Sequence, residues 1–452
     1  MYDLILACDS NFGIGKDNKL PWHLPEELKI FREKTNDSIL IVGRKTAESL
    51  PPLPGRLIAV LSRNKDTLHK DTLHKNNYYL FNTLNEALDW AKITFPYKKI
   101  FIAGGAELYN FVLTTHSKDI DRIHLSILND IYYCDRYVNI GDEWIIQEEK
   151  VEQKFKHQIL IYKKEHSEFQ YLNLIQDVLK NGKKKIGRNG ETTSVFFRNM
   201  TFDLNQGFPL LTTKKMFFKG ILRELLFFIK GQTNSKILEE KGVNIWKKNT
   251  DRKFLDSLGF VNRPEGIMGP MYGYQWRFFG AEYDEKEGKP ISVGIDQLKN
   301  IINQIKNDPS SRRLIMTDFN PSQAHLGVLY PCHSIIIQFY VNDDELEMFC
   351  YNRSQDLFLG VPFNIASSAL LLMIVAKMTG LKPGKLHMSM GDVHIYKEHY
   401  EHASSQQKLR PFKFPSLNMA FGGERDIDSL EETDFVLTNY NSHPAIKTEM
   451  IA

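Results

Sequence analysis

Along the first third of the chain, short apolar runs alternate with longer stretches in which apolar positions recur every three or four residues. The runs around Leu4, Ser38, Leu57, Lys99 and Arg122 predict strands, and residues 26–34 and 84–93 predict amphipathic helices. Strand and helix in alternation imply an α/β domain with a doubly wound, mostly parallel sheet. Toward its end, residues 132–138, 143–147 and 154–162 alternate apolar with polar positions, which predicts antiparallel strands completing one edge. A polar stretch at 163–167 then gives way to a helical pattern at 168–179. The reading is two domains, 1–163 and 168–452, joined by a short linker at 164–167. The second differs in grain: apolar helical stretches at 217–229 and 366–378 stand among strand-like runs at 313–318, 334–341 and 346–352. That mixture predicts an α+β domain with large helices over a sheet. The duplicated pentapeptide KDTLHKDTLH at 65–74 reads as a surface-loop insertion, because one repeat cannot build a solenoid. Lys183, Lys184 and Lys185 read as a solvated loop beside Asn181-Gly182.

The length of 452 residues accommodates these domains with a core in each. With 58 Lys+Arg against 55 Asp+Glu, bulk charge does not point to nucleic acid, although clustered arginines can still bind a phosphorylated small molecule. The longest purely apolar run, 369–376, is too short to span a bilayer, and Asp3 and Asp9 interrupt any signal-peptide core, so a soluble, cytoplasmic protein without a membrane partner is expected. Cys8, Cys134, Cys332 and Cys350 have neither CxxC nor Cys/His spacing, so no metal site or disulfide framework is expected. A reducing compartment fits.

Candidate chemistry gathers in two places. Gly104-Gly105 follows the apolar run 100–103 and precedes the helical run 106–113, where backbone amides can meet a phosphate; by itself the pair is equally a tight turn. Arg44 and Arg63, each at a strand end, offer charge for a 2′-phosphate. Glu27 lies beside Leu28 and Phe31 with Trp22 nearby, and a carboxylate in an apolar cleft has a raised pKa suited to managing a proton. The alternative is a first-turn glutamate favoured by the helix dipole after Pro25, which Glu26 satisfies equally well. In the second domain, Tyr330-Pro331-Cys332-His333 sets a thiol between a proline and an imidazole, while Ser311-Arg312-Arg313 and Asn352-Arg353-Ser354 supply arginines. Guanidinium groups lower a thiol's pKa and make it a nucleophile. Cys350, within a β-rich run, reads as a buried hydrophobe.

The order of motifs adds to this. The succession Ile14-Gly15, Leu20-Pro21-Trp22-His23-Leu24-Pro25, Gly43-Arg44-Lys45-Thr46, Leu53-Pro54-Gly55-Arg56 and Ala103-Gly104-Gly105 closely resembles the dihydrofolate reductase family over residues 1 to about 162. The resemblance implies hydride transfer from NADPH to C6 of dihydropterin while N5 gains a proton. It assigns Glu27 to the pterin N3 and 2-amino groups, Ile5, Ala7, Leu28 and Phe31 to the ring system, and Arg56, supported by Thr35, to the glutamate α-carboxylate. Ala103, Tyr109 and Ser126 would line the junction of nicotinamide and pterin. Ile14, Gly15, Arg44, Lys45, Thr46, Ser62, Arg63, Gly104, Gly105, Ala106 and Glu107 carry over to NADPH. Ala106 departs from the pattern, standing where a third Gly is common, and Val138-Asn139 replaces an aromatic-proline pair.

From about residue 168 to the end, Arg188-Asn189-Gly190, Gly207-Phe208-Pro209-Leu210-Leu211-Thr212-Thr213-Lys214, Gly269-Pro270-Met271-Tyr272-Gly273, Pro331-Cys332-His333, Pro362-Phe363-Asn364-Ile365-Ala366 and Gly391-Asp392-Val393-His394-Ile395-Tyr396 resemble the thymidylate synthase family. This implies that Cys332 attacks C6 of deoxyuridylate (dUMP), with 5,10-methylenetetrahydrofolate as co-substrate. Glu224 would organise water and proton transfers, and Tyr272 would help remove the C5 proton. Arg188, Arg353 and Ser354 would hold the phosphate, and Arg312 and Arg313 would reach a partner's nucleotide across a homodimer. His333, His394 and Tyr396 are assigned to the nucleotide, and Asp356 and Trp246 to the folate. Asn364 would read the O4/N3–H edge of uracil, where cytosine-directed relatives need an acid. Asn352 replaces a common Gln. Together the two resemblances imply one bifunctional chain, the second site releasing the dihydrofolate that the first consumes. A deoxycytidylate-modifying enzyme and a catalytically silent scaffold domain are the competing readings.

Overall fold

The computed structural model describes residues 2–63, 77–141, 143–162, 166–187, 189–449 and 451. The duplicated pentapeptide, Arg188 and residues 164–165 of the expected linker lie outside the described residues. Two compact units, Met1–Glu165 and His166–Ala452, make up the chain.

In chain order the first unit runs β1 (Tyr2–Cys8), β2 (Gly13–Gly15), α1 (Pro25–Thr35), β3 (Ile39–Gly43), α2 (Arg44–Ser49), β4 (Leu57–Leu61), β5 (Tyr78–Phe81), α3 (Leu84–Thr94), β6 (Ile100–Ile102), α4 (Ala106–Thr115), β7 (Ile120–Leu128), β8 (Arg136–Tyr137), β9 (Trp144–Val151) and β10 (Phe155–Tyr162). Eight strands form one sheet in the order β5-β4-β3-β6-β1-β7-β10-β9. Pairing is parallel from β5 to β7, and β10 runs antiparallel to both β7 and β9 at the edge. Ile5, Leu40, Val42, Ile58, Val60 and Phe101 form a core cluster on this sheet. A parallel sheet covered by helices needs apolar side chains on both faces, which explains why its strands read as continuous apolar runs. One expectation needs correcting. Residues 132–138 do not join the edge; only β8 is a strand there, and it pairs with β2 in a separate ladder. The Asp9 carboxylate accepts the Tyr132 N–H at 3.0 Å and the Gly13 N–H at 2.8 Å, drawing the segment toward β2.

The second unit contains α5 (Glu168–Asn181), β11 (Lys183–Gly187), β12 (Gly190–Asp203), α6 (Phe218–Ile229), α7 (Lys236–Glu240), α8 (Arg252–Ser257), α9 (Gly273–Phe278), β13 (Tyr283–Asp284), β14 (Lys289–Pro290), α10 (Gln297–Asn307), β15 (Ile315–Thr317), β16 (Ile336–Asn342), β17 (Glu345–Asp356), α11 (Gly360–Thr379), β18 (Lys382–Tyr396), α12 (Tyr400–Gln406), β19 (Ser416–Met419) and β20 (Phe435–Thr438). Its main sheet has the order β11-β12-β18-β17-β16-β15. Only β17 and β18 run parallel there, and α11 is the crossover between them. Ile337, Phe339, Met348, Cys350, Met388 and Met390 are buried in one core with α11, while Ile315, Ile336, Tyr340 and Phe349 on the opposite face are exposed. By length and composition α11 could cross a membrane, but 72% of its apolar window is buried inside the unit, as expected for a core helix. The pattern reading missed β18, whose sequence KPGKLHMSMGDVHIY mixes Gly, Pro and His with apolar residues. Lys183–Lys185 belong to edge strand β11 rather than a loop; Lys184 faces Glu191 at 3.6 Å and Lys185 faces Asp392 at 3.0 Å.

Glu168 opens α5 fully buried, and its carboxylate accepts Thr212 Oγ1 at 2.7 Å, Thr212 N at 2.9 Å and Thr213 N at 2.8 Å. Its removal leaves two buried backbone N–H groups without an acceptor, while the Thr212 hydroxyl keeps the Phe412 carbonyl at 3.3 Å. Glu168→Ala should therefore cost the second unit about 3 kcal/mol, read as a lower urea midpoint for that unit.

Two candidate active sites

In the first unit the strand ends after β3 and β6 open into a cavity of about 1650 Å³. Ile5, Ala7, Ile14, Gly15, Glu27, Leu28, Phe31, Arg44, Lys45, Thr46, Arg56, Ser62, Arg63, the run 103–107 and Tyr109 all stand on its wall. Thr35 and Ser126 do not; both are buried behind it. The choice between Glu26 and Glu27 is made by burial. Both occupy the first turn of α1, but Glu26 is exposed and Glu27 is buried. Desolvation pushes the Glu27 carboxyl up, against a hydrogen bond from the Ser126 hydroxyl. Behind that pair, Ser126 Oγ lies 3.1 Å from Nδ1 of His157, whose burial lowers its pKa to about 4. No motif singles out His157. Tyr109 gives its hydroxyl proton to the Ile5 carbonyl at 2.6 Å, at the wall beside Glu27.

Arg56 is braced at the other end. Its guanidinium donates to Pro54 O and Arg32 O, both at 2.8 Å, and to Thr35 Oγ1 at 3.4 Å, while its buried Nε has no partner among the described residues. Between the strand ends, Gly43 N–H donates to Gly104 O at 2.8 Å. A Cβ on Gly104 would come within 3.2 Å of Thr46 Cγ2, and one on Gly105 within 2.9 Å of Thr46 Oγ1. Only bare backbone fits there, and α4 starts from Gly105 without a side-chain cap. Arg44, half-buried and paired with Glu48 at 2.7 Å, flanks this corner with Lys45 and Arg63. Glu107 is exposed in the first turn of α4.

The second site is built around Cys332. Its Sγ is 3.3 Å from the hydroxyl of Tyr272, whose ring stacks on His333 at 4.4 Å and lies 5.8 Å from Trp246. Trp246 Nε1–H donates to Glu224 Oε1 at 2.7 Å, and burial pushes the Glu224 carboxyl up to about 7. Burial also takes His333 down to about 4. The Cys332 thiol departs from expectation. Arg353 and the Tyr272 hydroxyl favour the thiolate, but desolvation outweighs them and the thiol is pushed up rather than down. Asp318 adds to this. It is a buried acid that the sequence reading missed, its two oxygens are without a partner among the described residues, burial pushes its own carboxyl well above the usual carboxylate range, and when ionised it opposes ionisation of both Cys332 and Tyr272.

Strand β17 supports the Cys332 loop from behind. Ser354 N–H donates to Cys332 O at 3.2 Å, and Arg353 Nε donates to Pro331 O at 3.1 Å. Asn352, fully buried, accepts the Ser334 N–H at 2.9 Å. Asn364, near the start of α11, donates from Nδ2 to Gln355 Oε1 at 2.9 Å, and Gln355 had not been singled out. Asp356 Oδ1 accepts Phe358 N–H at 2.9 Å and Leu359 N–H at 3.2 Å, shaping the entry to α11. His394 is the ladder neighbour of Asp356, holds Asp392 at 3.0 Å and meets the Tyr396 ring edge-on at 5.3 Å. Arg312 and Arg313 are exposed ahead of β15, and no described contact joins either to the Cys332 loop.

A family model for dihydrofolate reductase matches residues 1–166, and one for thymidylate synthase matches residues 169–452. The bifunctional dihydrofolate reductase-thymidylate synthase of Paramecium tetraurelia is 38% identical over 99% of this chain and 98% of its own length. That of Daucus carota is 37% identical over 99% of this chain and 95% of its own, and that of Leishmania major 36% over 99% and 95%. The chain belongs to the bifunctional dihydrofolate reductase-thymidylate synthase family. Its reductase unit thus holds the large cavity and its synthase unit the thiol cluster.

In the synthase unit the Tyr272 hydroxyl is the strongest of the groups favouring the Cys332 thiolate. Tyr272→Phe removes that hydrogen bond with little change in shape. The thiol pKa should rise, so the pH profile of Cys332 alkylation by iodoacetamide shifts to higher pH.

Proposed function

We propose that the reductase unit reduces dihydrofolate with NADPH, and that the synthase unit methylates dUMP with 5,10-methylenetetrahydrofolate, each at the site described above. The reductase reading is carried by Glu27, a buried carboxylate on the wall of a cavity whose far end is cationic. Glu27 binds the amidine-like edge of the pterin and manages the proton destined for N5; burial raises its pKa, which favours a group that holds a proton. Leu28 and Phe31 cover the ring system, and the braced Arg56 guanidinium takes the glutamate α-carboxylate. The uncapped start of α4, the close glycine corner and the cations Arg44, Lys45 and Arg63 fit an anionic dinucleotide. When bound, NADPH supplies the hydride.

In the synthase unit the carrying observation is Cys332 Sγ held 3.3 Å from the Tyr272 hydroxyl, inside a wall that includes His333 and Trp246. Cys332 adds to C6 of the base, and Tyr272 helps remove the C5 proton. Glu224, at about 7, can carry protons in either direction near neutral pH. Arg353 and Ser354 hold the phosphate together with Arg188. His394 and Tyr396 hold the sugar, and Asp356 and Trp246 the folate. 5,10-Methylenetetrahydrofolate supplies the one-carbon group and its reducing hydride. Glu27→Ala should lower dihydrofolate reduction at least about 100-fold while sparing dUMP methylation, and Cys332→Ala should do the reverse, in separate assays of the two half-reactions. Joint loss of both activities in a folded variant would overturn the two-site reading.

The active form is a homodimer through the synthase unit. Exposed Ile315, Ile336, Tyr340 and Phe349 on one sheet face support this, as do Arg312 and Arg313, which among the described residues have no contact with the Cys332 loop of their own chain. Tyr340→Glu should weaken self-association by at least about tenfold in sedimentation velocity. A reducing cytoplasm suits a chain whose four cysteines are free.

A further inference from the structure

Uracil and cytosine present the same edge with donor and acceptor exchanged. An unconstrained carboxamide reads either base, because a half-turn about its last bond exchanges its own donor and acceptor. A uracil preference at Asn364 therefore needs something that blocks the turn. Asn364 Nδ2 donates to Gln355 Oε1 at 2.9 Å, and Gln355 is only 1% exposed. Gln355 in turn donates from Nε2 to the backbone carbonyl of Ser354 at 3.0 Å. A backbone carbonyl only accepts, so a turned Gln355 would set Oε1 against Ser354 O. With Gln355 held, a turned Asn364 would set Oδ1 against Oε1. Ser354 itself is anchored by its N–H on the Cys332 carbonyl at 3.2 Å. The donor order thus starts in the β17 backbone, which is bonded to the thiol's loop, and ends at the Asn364 amide.

We propose that Gln355 is the specificity-determining residue that locks Asn364 in its uracil-reading orientation, so that discrimination of dUMP from dCMP depends on a side chain behind the one that reads the base. The proposal rests on the assignment of Asn364 to the base. Gln355→Met keeps the buried volume and removes both hydrogen bonds. Calorimetric titration of the full-length variant with dUMP and with dCMP should give weaker dUMP binding and tighter dCMP binding, narrowing the ratio of affinities by about tenfold. Packing damage alone would weaken both ligands. An unchanged ratio, or equal losses for both nucleotides, would overturn the proposal. Asn364→Ala, titrated in parallel, separates the two assignments. A ratio that survives Asn364→Ala removes the reading of Asn364 and the lock with it, whereas a ratio lost there but kept in Gln355→Met removes the lock alone. Should Gln355→Met fail to fold, Gln355→Asn, too short to span both partners, makes the same comparison.

Discussion

The packing of α11 against β17 and β18 is the contact on which the synthase unit depends. Because α11 is the crossover of the one parallel pair in that sheet, burying its apolar surface fixes the positions of both strands and of the segment entering the helix. Arg353, Ser354 and Gln355 lie on the first strand, Asn364 in the early turns of the helix, and His394 and Tyr396 at the end of the second strand. A core contact without polar chemistry thereby sets the spacing of the polar groups. The reductase unit obeys the same rule in another form, since parallel strands end together and the turns after β3 and β6 must meet.

Burial also sets the electrostatics, and it acts more strongly than the nearby charges. Glu27 and Glu224 are pushed up because water is excluded from them, not because another anion sits beside them. At Cys332 desolvation prevails over a guanidinium and a tyrosine hydroxyl, so the resting thiol keeps its proton more firmly than its arginine neighbours suggest. Counting cations around a cysteine in a sequence omits this contribution, which depends on how completely the surrounding rings close over the sulfur.

Much of the architecture was legible. Continuous apolar runs separated by helical periodicity identified the parallel sheet, because strands buried on both faces have no need of polar positions. Such runs failed where a strand carries Gly, Pro and His, as in β18, and where a side chain redirects the backbone, as Asp9 does before β8. The motif residues around Cys332 and Glu27 were visible, but Gln355, His157 and Asp318 were not. Each acts through a partner distant in sequence, or through the absence of one, and carries no local pattern.

The sequence alone determined the two domain types and the candidate residues for their chemistry, since hydrophobic periodicity and motif order are properties of the chain itself. Only the tertiary structure decided which of two adjacent glutamates is buried, which way the thiol's acidity shifts and how the amide of Asn364 is oriented. These depend on solvent exclusion and on hydrogen-bond partners supplied by other strands, and neither exists until the chain has folded.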